Sequence, residues 1–91
     1  MRAQEVLRYS GVISLAQLAM RSDPDPSETL QEIADLQREG MVAIQPRQDP
    51  SVLETMAVKL GNKPAREQLR ELQQEPISDA KVELLGLPAA R

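Results

Sequence analysis

The sequence contains no cysteine, no histidine, no tryptophan and no phenylalanine. Each absence removes a class of chemistry. Without cysteine there is no disulfide framework, no thiol nucleophile and no thiolate metal site. Without histidine the commonest general acid–base is missing, together with the imidazole that metal sites most often recruit. Carboxylates remain, but no pair of them stands in a recognisable catalytic or metal motif. The aromatic content is 1%, which is Tyr9 alone. The core must therefore be aliphatic, and single-stranded nucleic acid finds no set of rings on which to stack its bases. No apolar run approaches the ~18 residues a membrane span needs, and Met1-Arg2-Ala3-Gln4-Glu5 does not read as a signal peptide. The expectation is a cytoplasmic, non-enzymatic protein with no cofactor and no membrane contact.

What is present points to one small folded domain. The chain has 91 residues, 41% of them hydrophobic and 27% charged, which suits a single globular unit better than a disordered one. Residues 2–9 set Val6, Leu7 and Tyr9 beside Arg2, Glu5 and Arg8, predicting a short amphipathic helix that ends at Ser10-Gly11. Val12-Ile13 is a brief β-branched, extended segment. Ser14 is placed to cap a second helix, with Gln17 three residues on and Leu15, Leu18 and Ala19 on one face. The prolines of Asp23-Pro24-Asp25-Pro26 force a turn. A third helix follows over 27–39, capped by Ser27, its inward stripe Leu30, Ile33, Ala34 and Leu36, ending at Gly40.

Met41-Val42-Ala43-Ile44 reads as a strand, and Pro46–Ser51 as a polar loop. Residues 53–60 alternate in the manner of a returning strand, yet they are also good helix formers, so both assignments stand. Pro64 suits the first turn of a helix carrying Ala65, Leu69 and Leu72 on one side, either as a dimer seam or, the reading preferred here, packed on its own chain. Pro76 stops that helix. Beyond it a short helix is expected around residues 79–85, with an apolar stripe (Ile77, Val82, Leu84, Leu85, Leu87) that docks on its own domain or on a partner. Met20, Met41 and Met56 read as core filler. Glu28 and Glu32 share an exposed face but lack the oxygen cage that a hard cation requires.

Two stretches carry a family resemblance: Gly11-Val12-Ile13-Ser14-Leu15-Ala16-Gln17-Leu18-Ala19, and Leu30-Gln31-Glu32-Ile33-Ala34-Asp35-Leu36-Gln37-Arg38-Glu39-Gly40-Met41-Val42. Their order and spacing resemble small bacterial winged helix-turn-helix proteins, both deoxyribose-repressor-type regulators and the accessory proteins of ferrous-iron transport. Ala57-Val58-Lys59-Leu60-Gly61 is similar to the wing's returning strand leading into a closing helix. The resemblance covers residues 2–74. It implies an α+β, mostly helical fold: a three-helix core, a two- or three-stranded β-wing and a C-terminal helix. Residues 1–74 would be the winged domain and 75–91 a C-terminal segment with a short docking helix. The wing cysteines of many iron-transport accessory proteins are missing here, so no metal or cluster function carries over.

In a DNA-reading member the helix at 27–39 would enter the major groove. Its outward side carries Glu28, Glu32, Asp35 and Glu39 against Arg38 alone, and phosphates repel such a face. The whole chain has a net charge of −3, whereas a DNA binder displays a basic stripe. The preferred expectation is a regulatory or assembly module acting through protein contacts at Glu28, Gln31, Glu32, Asp35, Leu84 and Leu85. The alternative is a regulator, homodimeric in the usual manner, that reads duplex DNA through Thr29, Gln31, Arg38, Arg47 and Lys59.

Overall fold

A computed structural model describes residues 2–22 and 25–85. Five helices and three strands follow in the order α1 (Ala3–Ser10), β1 (Val12–Ser14), α2 (Leu15–Arg21), α3 (Pro26–Arg38), β2 (Val42–Gln45), α4 (Pro50–Leu60), α5 (Ala65–Gln73), a 3-10 turn (Pro76–Asp79) and β3 (Lys81–Leu84). The chain is α+β. Its strands form one antiparallel sheet in the order β1-β3-β2, an arrangement compatible with a winged-helix-like fold. No helix among the described residues is long and apolar enough to cross a membrane.

Local chemistry explains the boundaries. Ser14 caps α2 as its spacing predicts, its Oγ accepting from the Gln17 N–H at 3.2 Å. The cap of α3 is Asp25 rather than Ser27. Its carboxylate accepts from the Glu28 N–H at 3.1 Å, and Pro26, which has no N–H to leave unpaired, takes the first helical position. Gly11 and Gly40 end α1 and α3 with φ near +73° and +74°, the left-handed conformation that costs a side-chain-bearing residue about 1 kcal/mol or more.

In the second half one open assignment resolves and one expectation is corrected. Residues 50–60 form helix α4, not a returning strand: Asp49 caps it by accepting from the Ser51 N–H at 2.9 Å, and Leu53, Ala57 and Leu60 lie buried at helical spacing. The returning strand comes some twenty residues later. The segment expected as a helix around 79–85 is β3, and β3 is the middle strand, pairing Ile13 with Val82 on one side and Ile44 with Val82 on the other. The C-terminal segment from residue 75 thus supplies a 3-10 turn and the centre of the sheet, where a docking helix was expected. The turn residues Asp23 and Pro24, and the tail beyond Leu85 with its Leu87, lie outside the described residues.

The core is aliphatic throughout. Leu7, Leu15, Leu18, Leu30, Ile33, Leu53, Leu60, Leu72 and Val82 are each less than 2% exposed. Leu72 and, in part, Leu69 of α5 pack into this core, whereas Ala65 of the same expected stripe is exposed. Met41 and Met56 pack against the core, but Met20 is 58% exposed and is no filler. Among the buried polar side chains, Gln68 of α5, 1% exposed, joins two elements. Its Oε1 accepts from the Ser27 N–H at 2.8 Å, and its Nε2 donates to the Lys63 carbonyl at 2.8 Å. It thereby satisfies a first-turn N–H of α3 that has no partner within its own helix.

Two outcomes follow from this packing. Gln68→Leu keeps the volume but leaves the buried Ser27 N–H without a partner and removes the donor to the half-buried Lys63 carbonyl, and should cost about 1–3 kcal/mol in urea unfolding. An unchanged midpoint would sink that account. A chain ending at residue 74 lacks the central strand and should show no cooperative thermal transition by circular dichroism.

Candidate functional site

The acidic side of α3 forms a shallow groove. Glu28, Gln31, Glu32 and Asp35 line it together, with Arg2 at its edge. Glu32 is half-buried because it serves the fold: a carboxylate oxygen accepts from the Gln4 N–H at 3.3 Å, and the other lies 3.9 Å from Arg2 Nε. Gln31 donates to Asp35 at 3.3 Å and to Glu54 of α4 at 3.4 Å. Glu28 and Asp35 are exposed. Four of the six expected partner-binding residues are therefore neighbours. The other two are not: Leu84 is half-buried on β3 opposite Val42, and Leu85, 39% exposed, has its N–H bonded to the Met41 carbonyl at 2.8 Å.

The residues of the DNA reading do not assemble into a stripe. Thr29 is corrected outright. It is 1% exposed and faces the core next to Leu30, with no partner for its hydroxyl among the described residues, so it meets no base edge. Arg38 makes an ion pair with Glu54 across the α3–α4 contact. Arg47 lies in the loop after β2 and lines a separate cleft with Asp49 and Gln37. Lys59 sits 3.9 Å from Glu75. Each of these cations thus has a carboxylate of its own chain nearby.

The cover over α3 comes from α4. Arg38, at the end of α3, meets Glu54 in the first half of α4, while Gly61 at the end of α4 lies beside Ser27 at the start of α3. The two helices therefore run antiparallel. Gln37 Nε2 also donates to the Gln48 carbonyl at 2.9 Å, tying the end of α3 to the loop that leads into α4. Hydrogen bonding from Arg38, with a further bond from Gln31, holds the Glu54 carboxyl below the usual carboxylate range. Asp49 is lowered first by its bonds from Ser51 and then by the charges of Arg38 and Arg47.

Sequence reading missed one feature. Tyr9 was placed on the apolar side of α1 with Val6 and Leu7, but it is 84% exposed. With Val6, Ser10 and Arg21 it walls a second cleft where α1 and α2 end together. A lone aromatic beside Arg8 at the end of a helix, in a chain whose core uses no other ring, was the available signal.

The lowered Glu54 carboxyl fixes the sign of a pH effect. A carboxylate whose pKa falls on folding stabilises the protein above its unfolded pKa, and that contribution is lost as pH falls through the folded value. The urea midpoint of the wild type should drop more steeply between about pH 5 and about pH 3 than that of Glu54→Gln, the two curves converging at the acid end. Parallel curves would show that the ion pair contributes nothing.

Compared with protein-family models, with curated proteins and with solved structures, the chain has no match.

Proposed function

We infer that this chain is a small, non-enzymatic winged-helix module that acts through contacts with protein. The architecture supports the first half of that reading. Helix, strand, helix, helix, strand, with a last strand returning between the first two, is the winged-helix-turn-helix order, and the β1-β3-β2 sheet fits it. In the simplest such fold a short hairpin joins the last two strands. Here residues 46–80 stand in its place and carry α4 and α5.

The observation that carries the functional half is what α4 does to α3. In a DNA reader α3 would present a cationic or neutral polar face to the major groove. In this chain α4 runs along α3, its Glu54 occupies Arg38, and the part of α3 left open is the groove of Glu28, Gln31, Glu32 and Asp35. Phosphates would meet carboxylates there. A protein surface with complementary charge would not be opposed. A regulatory or assembly role is the reading this acidic groove supports.

Fluorescence anisotropy of a labelled mixed-sequence duplex, titrated at low and at moderate salt, tests this reading. The expected result is a flat titration at both. Micromolar binding that weakens steeply with salt would overturn it and transfer attention to Arg47, Lys59 and the cations of α1.

A further inference from the structure

The only ring in the chain stands on the surface, at one wall of an apolar cleft. Val6, 4% exposed, forms part of its lining, and Ser10 and Arg21 complete it. The Ser10 hydroxyl accepts from Arg21 Nη1 at 3.4 Å, which draws the guanidinium to the rim. Arg8 and Val12 are exposed near Tyr9 in the chain but are not part of the lining, so Arg21 is the cation of the cleft itself and Arg8 stands on the next flank of α1. Among the described residues neither Arg8 nor Arg21 makes an ion pair with a carboxylate. Tyrosine and arginine around an apolar cleft are the residue types that dominate binding energy at protein interfaces.

The groove on α3 has the opposite character. It presents the exposed carboxylates of Glu28 and Asp35, with Glu32 already engaged by Gln4 and Arg2 at the edge, and shares no residue with the cleft. The chain therefore carries a cationic, aromatic patch and an acidic patch at separate places, on a molecule whose net charge is −3. Two copies repel at long range in most orientations, and the contact that sets one patch against the other is the one that charge favours.

We propose that the Tyr9 cleft of one copy docks on the α3 groove of a second copy, head to tail. Arg21 and Arg8 meet Glu28 and Asp35, and the phenol ring lies over the aliphatic stem of Gln31. Because the two patches differ, each contact leaves one cleft and one groove open, so the association is heterologous and continues to grow with concentration unless the rotation closes a ring. This rests on the protein-contact reading above and deepens it by naming the partner as the chain itself.

Sedimentation velocity up to about 1 mM protein, where weak contacts become populated, tests the proposal at low salt and again at about 0.3 M salt, where exposed charges are largely screened. The wild type should form species that grow with concentration at low salt and dissociate at high salt. A variant carrying Arg8→Glu and Arg21→Glu should stay monomeric, and so should one carrying Glu28→Arg and Asp35→Arg. Mixed together, the two should associate, because each supplies the patch the other has lost. Tyr9→Ser, which changes no charge, should weaken wild-type association at least tenfold, and circular dichroism melts establish that each variant is folded. A wild type that stays monomeric throughout, variants that associate like the wild type, or a mixture that stays monomeric would each overturn the proposal. Duplex titration and sedimentation read different surfaces, so the present inference and the functional reading fail separately.

Discussion

The last strand described in the chain lies in the middle of its sheet, and most of the architecture depends on that placement. Until β3 arrives, β1 and β2 have no partner, because neither pairs with the other. Val82, fully buried, sits between Ile13 and Ile44 and seals the sheet against the helices. The pairing closes loops of more than thirty residues toward β2 and more than sixty toward β1. Such loop closure costs entropy that only packing can offset, though the cost grows slowly with length. That slow growth is why a pair of helices can occupy the connection between β2 and β3. Anchored at both ends by the sheet, the inserted segment must fold back over the domain, and α4 does so along α3.

That return changes what α3 can do. A helix held mainly by one apolar stripe leaves its opposite side to solvent or to a ligand. Here a second flank is occupied by α4, with Gln31 and Arg38 both directed to Glu54. The exposed ion pair itself adds little stability; the burial of Leu53, Ala57 and Leu60 holds α4 in place. Its larger consequence is electrostatic. It neutralises the one arginine of α3 and leaves the acidic groove beside it. Gln68 strengthens the same arrangement from α5 by pairing a first-turn N–H of α3. The helical connection between β2 and β3, the closed flank and the acidic character of what remains open are one structural fact seen at three levels.

The first half of this fold was legible in the sequence, and the reasons are local. Ser14 with Gln17 and the glycines after α1 and α3 act within a few residues, so their meaning does not depend on distant partners. The inward stripe Leu30, Ile33, Ala34 and Leu36 is buried as read. The second half depended on tertiary context. Residues 53–60 are compatible with both periods, and packing against α3 decided for helix. Lys81-Val82-Glu83-Leu84 alternates polar and apolar, which is a strand pattern, but four residues alone are too short a run to outweigh a stripe that also suits a helix. Thr29, assigned outward from the sequence, is buried instead, since a short polar residue beside Leu30 fits either side of the stripe. Four acidic-face residues were legible as a group because helical spacing alone brings them together. The cleft at Tyr9 was not, because it requires the ends of α1 and α2 to meet.

Tyr9 also bears on what kind of surface this protein has. A buried tyrosine removes on the order of 150–250 Å² from water and ranks among the most stabilising core residues. This chain has one and leaves it 84% exposed, while leucine, isoleucine, valine and alanine fill the interior. The fold forgoes that burial at a position where α1 ends, Gly11 turns the backbone and β1 begins. The ring is consequently held on a helix end, in one cleft with Val6 and Arg21, rather than on a long loop. A rigid aromatic side chain with few rotamers loses little entropy on docking, so its value is greatest at a contact and small elsewhere. Set against an acidic groove on the same molecule, that asymmetry suits a contact between unlike surfaces rather than a self-complementary one.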